Sequence, residues 1–125
     1  RIDAIYHVGS QVNFMLPYAA LRAANVLGTR EVIRLAGAVR GKHLHHVSTL
    51  ALFLSRTGAP QTVREEDPLP PPPLDRSGYA QSKWVADSLV TQAQAAGVPV
   101  SIRASNCPTG SVSPSKPPSA TMRPA

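Results

Sequence analysis

Tyr79 and Lys83 stand four residues apart in Tyr79-Ala80-Gln81-Ser82-Lys83. On a helix that spacing puts two side chains on one face about 6 Å apart, so a phenol and an ammonium can converge on one point. A phenol with an unperturbed pKa of about 10 is a poor acid or base at neutral pH. An adjacent ammonium favours its phenolate form and lowers that pKa, which suits it to exchange a proton with a carbonyl or alcohol oxygen. Taken alone, the same pair reads equally well as two surface residues on a helix. Thr49 strengthens the chemical reading. Ser48-Thr49 closes a predicted strand, and in open α/β sheets ligands bind beyond the carboxyl ends of the strands. A hydroxyl there can hydrogen-bond a carbonyl oxygen beside Tyr79, or it can cap the next turn.

Other reactive residues point nowhere definite. His43, His45 and His46 do not make a metal site, because neighbours on a strand face opposite ways and no cysteine or carboxylate cluster accompanies them. Cys107 has no base near it in sequence, which argues against a nucleophile. As the only cysteine it excludes an intramolecular disulfide, and a reducing compartment, the cytoplasm, is expected.

The elements that must position Tyr79, Lys83 and Thr49 alternate in type. Ala4 to Val8 is a short β-prone run ending at Gly9-Ser10. From about Pro17 to Val39, Leu21, Ala24, Gly28, Val32, Leu35 and Ala36 recur at spacings of three and four, predicting one helix with Gly41 as its stop signal. Leu44 to Val47 predicts a second strand. Ser55 to Ser77 is a polar, proline-rich connection, stiffened by Pro70 to Pro73, that cannot be a central strand or helix. A helix from Tyr79 to Ala96, ended by Gly97, and a strand from Val98 to Arg103 follow. The order β, α, β, loop, α, β with crossovers this long predicts an α/β fold of parallel strands joined by right-handed βαβ units, half of a doubly wound sheet. Residues 1–103 form the folded segment; residues 104–125 form a Pro/Ser-rich tail, expected to be disordered from Ser111 onward.

Composition sets the outer limits. The 125 residues, 42% apolar, suffice for one domain at most. The net charge of +6 comes from scattered Lys and Arg with only 5% aromatic residues, a solvated surface rather than a basic stripe for nucleic acid. No apolar run approaches the roughly 20 residues that span a bilayer. The chain opens on Arg1 rather than Met and reads as a piece of something longer.

Several motifs in fixed order narrow the family. His46-Val47-Ser48-Thr49, the NVLGT of Asn25 to Thr29 and the GYAQSKWVAD of Gly78 to Asp87 together resemble the extended short-chain dehydrogenase/reductase superfamily. The stretch from Asp3 to Ala36 resembles the thioester reductase domains of nonribosomal peptide synthetases and carboxylic acid reductases, and the likeness runs from about Ile2 to Arg103. It implies a Rossmann-like domain lacking its first βαβ half: no G-x-G-x-x-G occurs, Gly9 lies alone and the next glycine is Gly28. It implies Tyr79 as general acid, Lys83 as its activator and a ribose ligand, and Thr49 as the carbonyl-orienting hydroxyl. Gly9 and Ser10 would border the dinucleotide, with Tyr79 and Lys83 also against it. Ser10 replaces the family's usual Ala and Asp87 its usual Glu; after Arg103 the family's R-P-G is absent. The implied activity is NADPH-dependent reduction, with NADH also open, of a phosphopantetheine-bound acyl or peptidyl thioester on a carrier domain, giving an aldehyde or alcohol. Two alternatives stay open: another extended dehydrogenase or epimerase acting on a small molecule, and a non-catalytic remnant that binds no dinucleotide.

Overall fold

Three parallel strands pair side by side in chain order in the computed structural model, which describes residues 2–53, 62–64, 67–74 and 76–105. They are β1 (Ala4–His7), β2 (His43–Thr49) and β3 (Val100–Ser105). His7 lies opposite His46 and Thr49 opposite Ser105, so the carboxyl ends of the strands share one edge. Parallel neighbours need long crossovers. Between β1 and β2 run α1 (Tyr18–Arg22), a π-helical turn (Ala23–Leu27) and α2 (Gly28–Gly37), and α3 (Gly78–Ala95) leads towards β3.

Along β2 the inward residues Leu44, His46 and Ser48 are buried, while His43, His45 and Val47 are only half-buried. The inward face therefore lies under the helices. Ala36, Leu44, Val90 and Val100 form the core there, with Ile5, Val32, Ile33 and Val98 packed around them. Burying a Leu or Val side chain stabilises by about 1.5–3 kcal/mol, so this cluster holds α2 and α3 on the sheet. The opposite face carries a stack in which the Tyr6 and His43 rings each lie 4.4 Å from that of His45.

The boundaries differ from the sequence reading where hydrogen bonding overrides periodicity. A single helix is expected from Pro17 to Val39, but the π turn widens it, with the Gly28 amide donating to the Ala23 carbonyl. The helix ends at Gly37, four residues before the expected stop at Gly41, and Val39 follows at φ 66°. The Lys42 ammonium closes that end, donating to the carbonyls of Leu35 at 3.0 Å and Ala38 at 2.8 Å, groups that a helix end leaves without partners. β3 starts at Val100 rather than Val98, because Pro99 has no N–H to give the ladder. It runs past Arg103: Ala104 and Ser105 pair with Ser48 and Thr49. Gly97, at φ 96°, stops α3 as expected.

The described part of the proline-rich connection contains neither helix nor strand. It lies along α3, where Trp84 Nε1 donates to the Pro70 carbonyl at 2.7 Å and Gln81 Nε2 to that of Arg76 at 3.0 Å. Cys107 and the expected disorder from Ser111 fall outside the described residues.

Candidate functional site

The first turn of α3 sets the position of Tyr79. Ser77 caps the helix, its Oγ accepting from the Ala80 amide at 3.3 Å. At Gly78 a Cβ would stand 2.6 Å from the Leu16 carbonyl oxygen and closer still to the backbone of Pro17 and Tyr18. The chain entering α1 thus crosses the start of α3 at a distance only glycine allows. Tyr79 is buried beneath this crossing, with the Phe14 ring edge-on to its own at 5.1 Å.

One turn further along, Lys83 is only 4% exposed and its Nζ donates to the Val47 carbonyl at 3.1 Å. Burial holds its ammonium below the usual lysine range, and Asp87 opposes that shift. An ammonium has three N–H groups; Val47 takes one. Thr49 caps the turn that follows β2: its Oγ1 accepts from the Ala51 amide at 3.2 Å. The capping reading of Thr49 is therefore realised, and it leaves the hydroxyl proton without an acceptor among the described residues; the Tyr79 hydroxyl also has no partner among them. Lys83, through its bond to Val47, and Thr49, at the last position of β2, both lie at the carboxyl end of that strand, and Tyr79 stands one turn before Lys83 on α3. Gly9 and Ser10 follow β1 on the same sheet edge. Gly9 is exposed with open space around its Cα, so what it presents is backbone.

The sequence reading missed the polar groups beneath these three. Thr29 Oγ1 donates to the Asn25 carbonyl at 2.7 Å. That uses its only proton, so His7 Nε2, 2.8 Å from Thr29 Oγ1, is the donor to it. Burial, then the neighbouring His46 and Lys83, push the His7 pKa down to about 4. The Asn25 side chain pairs both ways with the Gln11 backbone, at 2.7 and 3.0 Å, and donates to Ser82 Oγ at 2.9 Å. Ser82 in turn donates to the Tyr79 carbonyl at 2.8 Å. Asn25 and Thr29 open and close the NVLGT segment, and they tie the loop after β1 to the helix bearing Tyr79.

The histidines are divided as strand alternation requires. His46 faces the helices and bonds Asp87, whereas His43 and His45 face outward, His43 bonding Ser101 Oγ at 2.8 Å. Among the described residues no cluster of three His, Cys, Asp or Glu side chains can hold a metal ion, and no helix is long and apolar enough to cross a membrane.

A buried phenol, a hydroxyl with a proton to give and an ammonium at a strand end can together bind an oxygen and protonate it. Comparison with known proteins places the chain in a family. The family described as male sterility protein matches residues 1–117. A linear gramicidin synthase of Brevibacillus parabrevis is 50% identical over 102 residues, covering 81% of this chain and 2% of that protein. The crystal structure of the terminal R domain of the myxalamid PKS-NRPS pathway aligns with a TM-score of 0.77 at 52% identity, over 84% of this chain and 26% of that one. The structure of RMD from Pseudomonas aeruginosa complexed with NADPH aligns at 0.64 and 25% identity, over 83% and 36%. The chain thus spans a small part of each protein it matches.

Proposed function

The chain belongs to the male sterility protein family of NAD-binding domains, and on that premise we propose that it is the catalytic middle of a reductase that uses NADPH to reduce an acyl or peptidyl thioester held on a carrier domain by phosphopantetheine. One observation carries this reading: the buried Lys83, on the helix face that also carries the buried Tyr79, bonds the Val47 carbonyl two residues before a Thr49 hydroxyl whose proton has no acceptor among the described residues. The donors fit both ligands. Lys83 keeps N–H groups for a ribose hydroxyl, with Tyr79 and the Gly9-Ser10 backbone bordering the cofactor; Thr49 keeps a proton for a carbonyl oxygen.

The bound dinucleotide supplies the hydride. Thr49 donates to the thioester carbonyl oxygen and orients it. As charge develops on that oxygen, Tyr79 stabilises it and gives up its proton. Collapse of the tetrahedral adduct re-forms the carbonyl and breaks the carbon–sulfur bond; the proton that the oxygen had taken passes to the thiolate, which leaves as the carrier thiol, and Tyr79 takes a proton from solvent. The product is an aldehyde, and a second round at the same site gives an alcohol. Linear gramicidin synthase and the myxalamid R domain, both of synthetase systems by name, support the carrier-bound substrate.

The test is to incubate the full-length protein with an acyl-loaded carrier domain and NADPH or NADH, following loss of the reduced nicotinamide and release of thiol and aldehyde. With NADPH, release of thiol equal to the sum of aldehyde and alcohol is expected. An intact thioester, alongside reduction of a free sugar or ketone, would replace this reading with that of another dehydrogenase.

A further inference from the structure

α3 grips three consecutive residues of β2 through polar bonds alone. Asp87 Oδ1 accepts from His46 Nε2 at 3.0 Å, Lys83 Nζ donates to the Val47 carbonyl at 3.1 Å, and Ser48 Oγ donates to Asp87 Oδ2. His46, Ser48, Lys83 and Asp87 are all at most 4% exposed. The apolar core reaches β2 only at Leu44, so at the carboxyl half of the strand these bonds fix how helix and strand meet. A one-residue slip of a strand turns every side chain to the other face, and here it would put His46 and Ser48 outside and break both bonds to Asp87.

The clamp also faces a charge problem. A buried ammonium without a counter-charge is costly. The titratable groups around Lys83 are His7 from β1, His46 from β2 with its ring against that of His7, and Tyr79 and Asp87 at four-residue spacing on α3 itself. Of these only Asp87 carries a carboxylate, one helical turn from Lys83.

We propose that Asp87 is a positioning residue of the reductase site: its bonds to His46 and Ser48 set β2 against α3 so that Thr49 and Lys83 meet at the strand end, and its carboxylate keeps Lys83 charged there. The inference rests on the reductase reading above. It assigns His46 and Ser48 to the same device, which transmits Asp87 to the reacting groups without itself touching substrate.

The experiment measures kcat, KM and their pH profiles for thioester reduction by the full-length protein and by Asp87→Asn, Asp87→Glu, Ser48→Ala and Tyr79→Phe. Asp87→Asn is expected to lower kcat at least about tenfold with KM within about threefold, and to move the alkaline limb of the kcat profile down by about one pH unit as Lys83 loses its counter-charge. Asp87→Glu should return the limb to its parent position. Ser48→Ala keeps the charge and loosens the clamp, so kcat should fall about threefold to tenfold with the limb unmoved. An unmoved limb in Asp87→Asn, or parent kcat in Ser48→Ala, overturns the proposal; should Asp87→Asn fail to fold, Ser48→Ala and the limb in Asp87→Glu decide it. Parent activity in Tyr79→Phe overturns the reductase reading and this inference together. Loss of activity in Tyr79→Phe with an unmoved limb in Asp87→Asn overturns this inference alone.

Discussion

Thr49 shows how a residue can serve two ends at once. Its oxygen accepts from Ala51 to start the turn after β2, and its proton, without an acceptor among the described residues, is the one proposed to meet a substrate oxygen. Sequence alone offered these as rival readings. The placing of Tyr79 and Lys83 on one helix and of Thr49 at a strand end was legible because spacing and strand pattern encode position directly; the chemistry drawn from them is a proposal. Asn25, Thr29, His46 and Ser82 were not legible, because each is polar yet at most 1% exposed, and burial of a polar residue depends on partners distant in sequence. Lys83 gives the first prediction. Lys83→Met in the full-length protein should weaken NADPH binding as well as slow turnover, if the ammonium both activates the phenol and holds the ribose as proposed. Titration of cofactor fluorescence checks it, and unchanged affinity would remove Lys83 from the ribose. His7 gives the second. The folded protein holds its pKa near 4 against 6.5 in the open chain, so between those values the unfolded state binds the extra proton and stability falls as pH drops. Melting temperatures measured from pH 7 to 4 should fall less steeply in His7→Gln, which keeps an N–H for Thr29. Parallel curves for parent and variant would show that His7 does not titrate in this window.

At the scale of elements, order and type could be read from periodicity, and most of the differences lie at boundaries. The helix after β1 shows why. Leu21, Val32 and Ala36 keep helical spacing across the π turn, so the pattern reads as unbroken while the backbone widens at Ala23–Leu27. Asn25 sits in that turn, bonded to Gln11 and Ser82, and π turns of this kind recur at functional sites. Likewise Ala104 and Ser105 have little intrinsic strand preference, but the free edge of Ser48 and Thr49 gives them a ladder. The close crossing at Gly78 carries the element-scale prediction. Gly78→Ala should cost about 1–3 kcal/mol, because the added methyl meets the backbone of Leu16 to Tyr18 rather than a side chain that can move aside. Thermal melts of the full-length protein read this as a lower melting temperature, with turnover reduced because Tyr79 is the next residue. An unchanged melt would mean that the segment entering α1 does not cross there.

Across the whole molecule, the described residues form a three-stranded sheet with helices on one face, while Tyr6, His43 and His45 line the other. Parallel sheets are ordinarily covered on both faces, and the chain corresponds to 26% of the myxalamid R domain it overlays. This sequence carries no glycine-rich phosphate loop, and the roles proposed for its residues are proton transfer and carbonyl binding rather than a pyrophosphate cradle. That division of labour places the central claim on one side chain. In the full-length protein, single-turnover oxidation of NADPH by an acyl-carrier thioester should slow by roughly 10²- to 10⁴-fold in Tyr79→Phe, the usual worth of a positioned acid, with cofactor affinity nearly unchanged. A rate in Tyr79→Phe within about threefold of the parent would contradict the account.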